Sequence, residues 1–244
     1  MIRTYQIRSR GQIALFAGIW LLVFVPFFEV GALQTTGYAS AAASSAAHAN
    51  DAPLLAWASQ HLGLVIAFPV IEIIPLLLVI RLPALLQSIL DEQRGRIGRW
   101  CGMAGLVLVV LITLVNLVQL VVAAHQYGST LMNSLSTIGA NYRFTAIFDS
   151  LIANILGSLL LLIWLISVNM PLVRLGGYER AVGIVGVLSA ALFAATAGLV
   201  AFNPQQPQGT VAGSAMAVFG LWLALIGQLL IRRAPALGQP LAEE

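Results

Sequence analysis

HLGLVIAFPVIEIIPLLLVIRLPALLQSIL, residues His61–Leu90, is the stretch whose reading decides the fold. It exceeds the roughly 20 apolar residues that a helix needs to cross a bilayer, so it predicts a transmembrane helix. Glu72 stands at its middle, with Pro69 and Pro75 three residues away on either side. An acid at a helix centre costs about 2.5–3.5 kcal/mol on insertion scales, so Glu72 is expected to face the interior of a bundle. Each proline removes one backbone N–H from the helix ladder and loosens it locally.

The rest of the chain has the same character. Hydrophobic residues make up 59% of the 244 positions and charged residues 9%, with a mean hydropathy of +0.93. A soluble domain carries about 25% charged residues. The deficit runs along the whole chain, which implies one integral membrane domain spanning residues 1–244. The net charge of +3 comes with no basic run interleaved with aromatics, so nucleic acid is not expected as a partner. All twelve basic residues are Arg; without Lys there is no Schiff-base chemistry. The single Cys101 excludes an intrachain disulfide and a thiolate cluster.

Six apolar segments are long enough to span: residues 13–30, 62–80, 102–124, 146–168, 183–202 and 213–231. With the N-terminus inside, eleven of the twelve arginines fall on the cytoplasmic side and only Arg143 falls outside. This bias predicts an all-α, polytopic six-helix bundle with both termini cytoplasmic, integral to a cell membrane. The first segment reads as a retained helix rather than a cleaved signal.

Two external loops follow from that topology. Residues 32–53 are Ala/Ser-rich and nearly uncharged, which reads as flexible. Leu54–Gln60 reads as a short surface helix with Trp57 as an interface anchor, and Leu131–Ile138 as a second one.

Candidate chemistry centres on Glu72. By helix rise, Glu72, Asn116 and Asn154 fall within roughly 6 Å of the midplane. Together with Gln119 and Ser158 they form a candidate buried polar site, either a proton- or ligand-linked group or a hydrogen-bonded glue between helices. His61, His125, Glu29 and Asp149 lie on the outer side and form a candidate zinc or copper group, although no two have ligand spacing. Asp149 equally suits an ion pair with Arg143 or a helix cap. Gly186, Ala190, Ala194 and Gly198 repeat small residues every four and suit close helix packing. Arg99-x-x-Gly102-x-x-Gly105 and Arg180-x-x-Gly183-x-x-Gly186 echo one another at the starts of the third and fifth spans. Internal repetition and chance both account for that echo.

Walker A, G-x-S-x-G, H-E-x-x-H and C-x-x-C motifs are absent, and no histidine lies within a span to hold haem. The Arg-then-Gly helix starts, the Pro-containing second span ending LLLVIRLPALL, and the last helix FGLWLALIGQLLIRR (Phe219–Arg233) resemble uncharacterised bacterial six-helix membrane proteins of a domain-of-unknown-function type. That resemblance implies a fold and no activity. The expectation is a non-enzymatic protein, either a small transporter-like bundle or an accessory or sensor subunit. It needs no cofactor, and its partners are the lipid bilayer and either another protein or further copies of itself. The alternatives are an intramembrane enzyme or metal protein using the external His/carboxylate group, and the permease subunit of an ATP-driven exporter.

Overall fold

The computed structural model describes residues 2–48, 50–90, 95–129, 135–202 and 209–237. All regular structure among them is helical: α1 (Ile2–Ile19), α2 (Val25–Phe28), α3 (Tyr38–His48), α4 (Ala52–Gln60), α5 (Leu62–Val79), α6 (Leu82–Leu90), α7 (Gly95–Ser129), α8 (Leu135–Leu151), α9 (Ser158–Val173), α10 (Gly177–Phe202) and α11 (Gly209–Leu237). Without water in the hydrocarbon, a helix satisfies its backbone groups within one segment. Six stretches are long and apolar enough to cross a membrane: Thr4–Phe28, Leu62–Leu86, Arg96–Ser129, Ile155–Val173, Gly177–Phe202 and Gly213–Pro235. The protein thus has the architecture of an integral, multi-pass membrane protein.

Several of these helices outrun their apolar segments. α7 is 35 residues, about 52 Å, against a hydrocarbon core of about 30 Å. The fourth span is the end of a longer helical run that starts at Leu135 and passes through a π-helical stretch, Ile152–Gly157. The first span carries a similar distortion at Trp20–Phe24, where Val25 N–H bonds back five residues to Trp20, just ahead of Pro26. A proline cannot donate in the ladder, so the helix widens beside it.

Each span packs on its neighbours in sequence, and the first packs on the sixth, which closes the six into a ring. The α1–α11 contact is the most extensive, and glycines make it possible. A Cβ on Gly11 would stand 2.8 Å from the Gly227 carbonyl oxygen; one on Gly18 would stand 2.5 Å from that of Gly220 and collide with Ala224. Gly11 and Gly18 are seven residues apart, and so are Gly220 and Gly227. Two turns of each helix therefore present a bare backbone to the other, in antiparallel register. This brings the described chain ends, Ile2 and Leu237, to one face of the bundle, the termini face. At that face Arg233 pairs with Glu179 at 2.6 Å, and Arg232 lies over the Tyr178 ring at 5.1 Å.

At the opposite face, α3 and α4 form a helical cap. Residues 38–48 are helical where composition alone suggested a flexible loop, and α4 covers the short surface helix expected over Leu54–Gln60. Alanine has the highest helix propensity, and here tertiary docking completes the effect. Arg143 on α8 reaches into the turn between α3 and α4, donating from Nη1 to Asp51 Oδ1 at 3.2 Å and to the Ser45 carbonyl at 3.1 Å. Arg143 thus pairs with Asp51, and the Asp149 side chain lies outside the described residues. One turn away, Gly139 leaves room for the same turn: a Cβ there would stand 2.6 Å from Ala52 N. Trp57 is 8% exposed and is part of the cap's core rather than a membrane anchor, with Nε1 donating to Thr36 O at 3.0 Å. It stacks on His61 at 5.0 Å. Of the expected second surface helix, residues 131–134 lie outside the described residues; α8 begins at Leu135.

Candidate functional site

One stripe of α7 organises the site. Gly98, Gly102, Gly105, Val109, Ile112, Asn116, Gln119 and Ala123 alternate steps of four and three, so they share one helical face. Four contacts show that this face meets the fourth helical run. Cβ atoms on Gly98 and Gly102 would strike Ser167 and the Trp164 ring, the latter at 2.6 Å. Gly105 faces Leu161 at 3.1 Å, and Gly157 of the partner faces Val109 Cγ2 at 3.1 Å. At the termini face this seam is shut by backbone-to-ring contact.

Toward the cap the same seam changes character. The glycines give way to Asn116 and Gln119, and the helices separate into a cleft of about 260 Å³. Gln119, Gln126, Asn141, Tyr142 and Thr145 supply its polar lining, with Val122, Ala123 and Ile138 as apolar wall. Gln119 Oε1 is sealed from solvent and has no hydrogen-bond partner among the described residues. A buried acceptor left unmatched costs about 1–3 kcal/mol, so it marks a place that needs explanation.

Behind the seam, the bundle centre is filled with aromatic rings. Trp164 and Trp222 are both fully buried and meet edge to face at 5.3 Å, and Phe219 stacks on Trp222 at 5.7 Å. Asn169, which sequence reasoning passed over, ties three helices there. Its Nδ2 donates to Leu165 O at 2.8 Å, its Oδ1 accepts from Trp222 Nε1 at 2.8 Å, and its side chain lies directly on Gly186 of α10. Its available signal was an amide inside an apolar run, SLLLLIWLISVNMPLV, with a small residue and an indole donor on neighbouring spans.

The two Arg-x-x-Gly-x-x-Gly sequences now have a shared physical role. Gly102 and Gly105 bring α7 against α9 from one side, and Gly183 and Gly186 bring α10 against it from the other. Among the four small residues of α10, Gly186 and Ala190 lie in the buried face, Ala194 is half-buried, and nothing lies within 4 Å of a Cβ on Gly198. The buried face of α10 instead follows Val182, Gly186, Ser189, Phe193, Thr196 and Val200, in steps of four and three.

Glu72 occupies a different wall. It lies seven residues from Val65 and seven from Val79, both buried, on the stripe of α5 that turns away from the exposed Val70, Ile74 and Leu77. Glu72 itself is half-buried. The neighbouring Ile71 carbonyl is the one that Pro75 leaves without its helical donor, and Trp20 Nε1 of the first span fills it at 2.9 Å. Asn116 and Gln119 belong to the α7 face toward the fourth run, and Ser158 is buried at the start of α9 beside Gly157. The Asn154 side chain lies outside the described residues, so the expected meeting of Glu72 with it does too.

The external His/acid group is not assembled into a metal centre among the described residues, where no three His, Cys, Asp or Glu side chains come together. His61 Nδ1 donates to Trp57 O at 2.9 Å, and His125 is exposed on α7. The side chains of Glu29 and Asp149 lie outside the described residues. Asp51, in the cap, has its carboxyl pushed above the usual carboxylate value by burial, with the Arg143 charge and hydrogen bond pulling the other way.

A scan of protein-family models, a search of curated proteins and a search of solved structures each return no match to this chain. The functional reading therefore rests on the site itself.

Proposed function

We propose that this chain is a non-enzymatic protein of the bacterial cytoplasmic membrane, with both termini cytoplasmic, that works as an accessory or sensor subunit by recognition at its outer face. The observation that carries this reading is the grading of the α7–α9 seam. It is closed by Gly98, Gly102 and Gly105 at the termini face and opens into an amide-lined cleft beneath the cap. The arginine distribution supports the orientation, since eleven of the twelve are expected on the cytoplasmic side of a six-span chain. Among the described residues no side chains in the cleft form a nucleophile–base pair, and recognition by hydrogen bonds is what amides and hydroxyls there offer.

A second reading, a small transporter, is favoured by one observation: Glu72 lies on a buried stripe of α5 between two in-helix prolines, where an ionisable group is costly without a role. Side-resolved labelling separates the two. In a Cys101→Ser background, Ala123→Cys should react with a membrane-impermeant maleimide from outside, and Ile112→Cys should stay silent from the cytoplasmic side under all conditions. Cytoplasmic labelling of Ile112→Cys would replace the sensor reading with the transporter. Labelling of Ala123→Cys from the cytoplasm alone would invert the orientation.

A further inference from the structure

We infer that the termini face seats anionic phospholipids at two places, each built on an arginine held against an aromatic ring. One is Arg99 with Trp100 on α7, and the other is Arg232 with Tyr178, where α11 ends beside α10. Both lie opposite the cleft, so the outer-face reading neither supports them nor depends on them. The Arg99 guanidinium carbon stands 5.3 Å from the centre of the Trp100 ring, and that of Arg232 stands 5.1 Å from the Tyr178 ring. A guanidinium held by a ring contact keeps its N–H donors for an oxyanion, and its fixed position means that less freedom is lost when one binds.

The surroundings suit a lipid at each place. Trp100 is 59% exposed and Ile97, one turn before it, is 71% exposed, beside the exposed Arg96. These side chains lie off the face by which Gly98 and Gly102 close α7 against α9. Arginine beside an exposed indole and an aliphatic side chain matches a headgroup above its acyl chain. At the other place the Tyr178 hydroxyl donates to Gln228 Oε1 at 2.7 Å, which fixes the ring against which Arg232 lies. Charge selects the headgroup. Nine described arginine side chains lie at or near this face, from the start of α1 to the end of α11. The one described acid among them, Glu179, is taken by Arg233 at 2.6 Å. With the undescribed residues counted from the sequence, eleven arginines still meet only five acids: Asp91, Glu92, Glu179, Glu243 and Glu244. A zwitterionic headgroup brings its own ammonium against that excess, whereas an anionic one does not.

The test is native mass spectrometry of the full chain with equal amounts of phosphatidylglycerol and phosphatidylcholine. The first two phosphatidylglycerols should bind about fivefold more tightly than phosphatidylcholine. Arg99→Gln with Arg232→Gln should remove that preference. Arg8→Gln with Arg174→Gln, two exposed arginines and the same loss of charge, should keep it. If the first pair does not fold, Trp100→Leu serves in its place and should weaken one of the two phosphatidylglycerols about threefold. Equal binding of the two lipids overturns the inference. Equal loss in both double variants does too, because diffuse charge then accounts for the preference. Displacement of the bound lipid by glycerol phosphate would replace a lipid seat with a site for a free phosphoester.

Discussion

Adding a single methyl group at Gly18 tests how the ring is closed. A Cβ there would stand 2.5 Å from the Gly220 carbonyl oxygen, about 0.9 Å short of the 3.4 Å at which ordinary contact begins, and closer still to Ala224 N. Both obstacles are backbone, so no side chain can swing away. The α1 and α11 axes must therefore part by roughly an ångström along the two turns they share. A gap of 0.5–1 Å forfeits a quarter to a half of each contact's attraction, and overpacking of this kind costs about 1–3 kcal/mol. The gain from replacing Gly by Ala in a helix, about 1 kcal/mol, offsets part of it. Gly198→Ala is the matched control, since nothing lies within 4 Å of its Cβ; there only the propensity gain remains. Steric-trapping unfolding in bicelles should rank Gly18→Ala about 1–2 kcal/mol below wild type and Gly198→Ala level with or above it. Gly18→Ala with Gly227→Ala should cost less than the sum, because the first substitution has already moved the helix. Equal stability of Gly18→Ala and Gly198→Ala would refute the close approach.

Three further outcomes follow from the polar contacts. Trp20→Phe should destabilise by about 1–3 kcal/mol in steric trapping, but much less in a Pro75→Ala background, where residue 75 regains an N–H for the Ile71 carbonyl. Asn169→Leu should cost about as much by orphaning Trp222 Nε1, and adding Trp222→Phe should then cost little; full additivity would mean the two are not paired. In the cap, burial holds the folded carboxyl of Asp51 above its ordinary value near 3.8, so the folded state binds the proton more tightly. That contribution is fully present below the unfolded value and is lost as pH rises through the folded one. Hydrogen exchange of α3 and α4 should accordingly quicken as pH rises from about 4 beyond the intrinsic base-catalysed rate, and Asp51→Asn should flatten that excess. Protection that grows over the same range would contradict the burial-dominated shift.

The six spans were legible because hydrocarbon leaves a long apolar helix as the simplest solution for each segment, and composition reports it directly. Span ends were less legible. α7 and the run from Leu135 continue as helix beyond the apolar stretches that mark the spans in the sequence. Of the cap, α4 was legible but α3 was missed, because Arg143 and Asp51 are 92 residues apart and Ala/Ser composition carries no sign of a distant partner. Packing glycines were partly read: the four-residue stripe on α10 was visible, but its buried face follows alternate steps of four and three. The seven-residue spacings of Gly11/Gly18 and Gly220/Gly227 become meaningful only as a pair. For the site, Gln119 and Asn116 were picked out as amides in a span. Their stripe begins with Gly98, Gly102 and Gly105, and that continuity links the polar end to the shut end. Glu72 stood out for its cost in lipid, yet it lies on α5, which contributes none of the described residues that line the cleft.

Hydroxyl-radical footprinting of the unmodified protein in nanodiscs reads the graded seam directly. Trp164 and Trp222 are among the most oxidisable side chains and lie fully buried at the bundle centre, whereas Tyr142 lines the cleft. Oxidation of Tyr142 with Trp164 and Trp222 silent is the expected pattern. Oxidation of either tryptophan at a rate near that of Tyr142 would mean that water crosses the seam, and the closed termini face would be wrong.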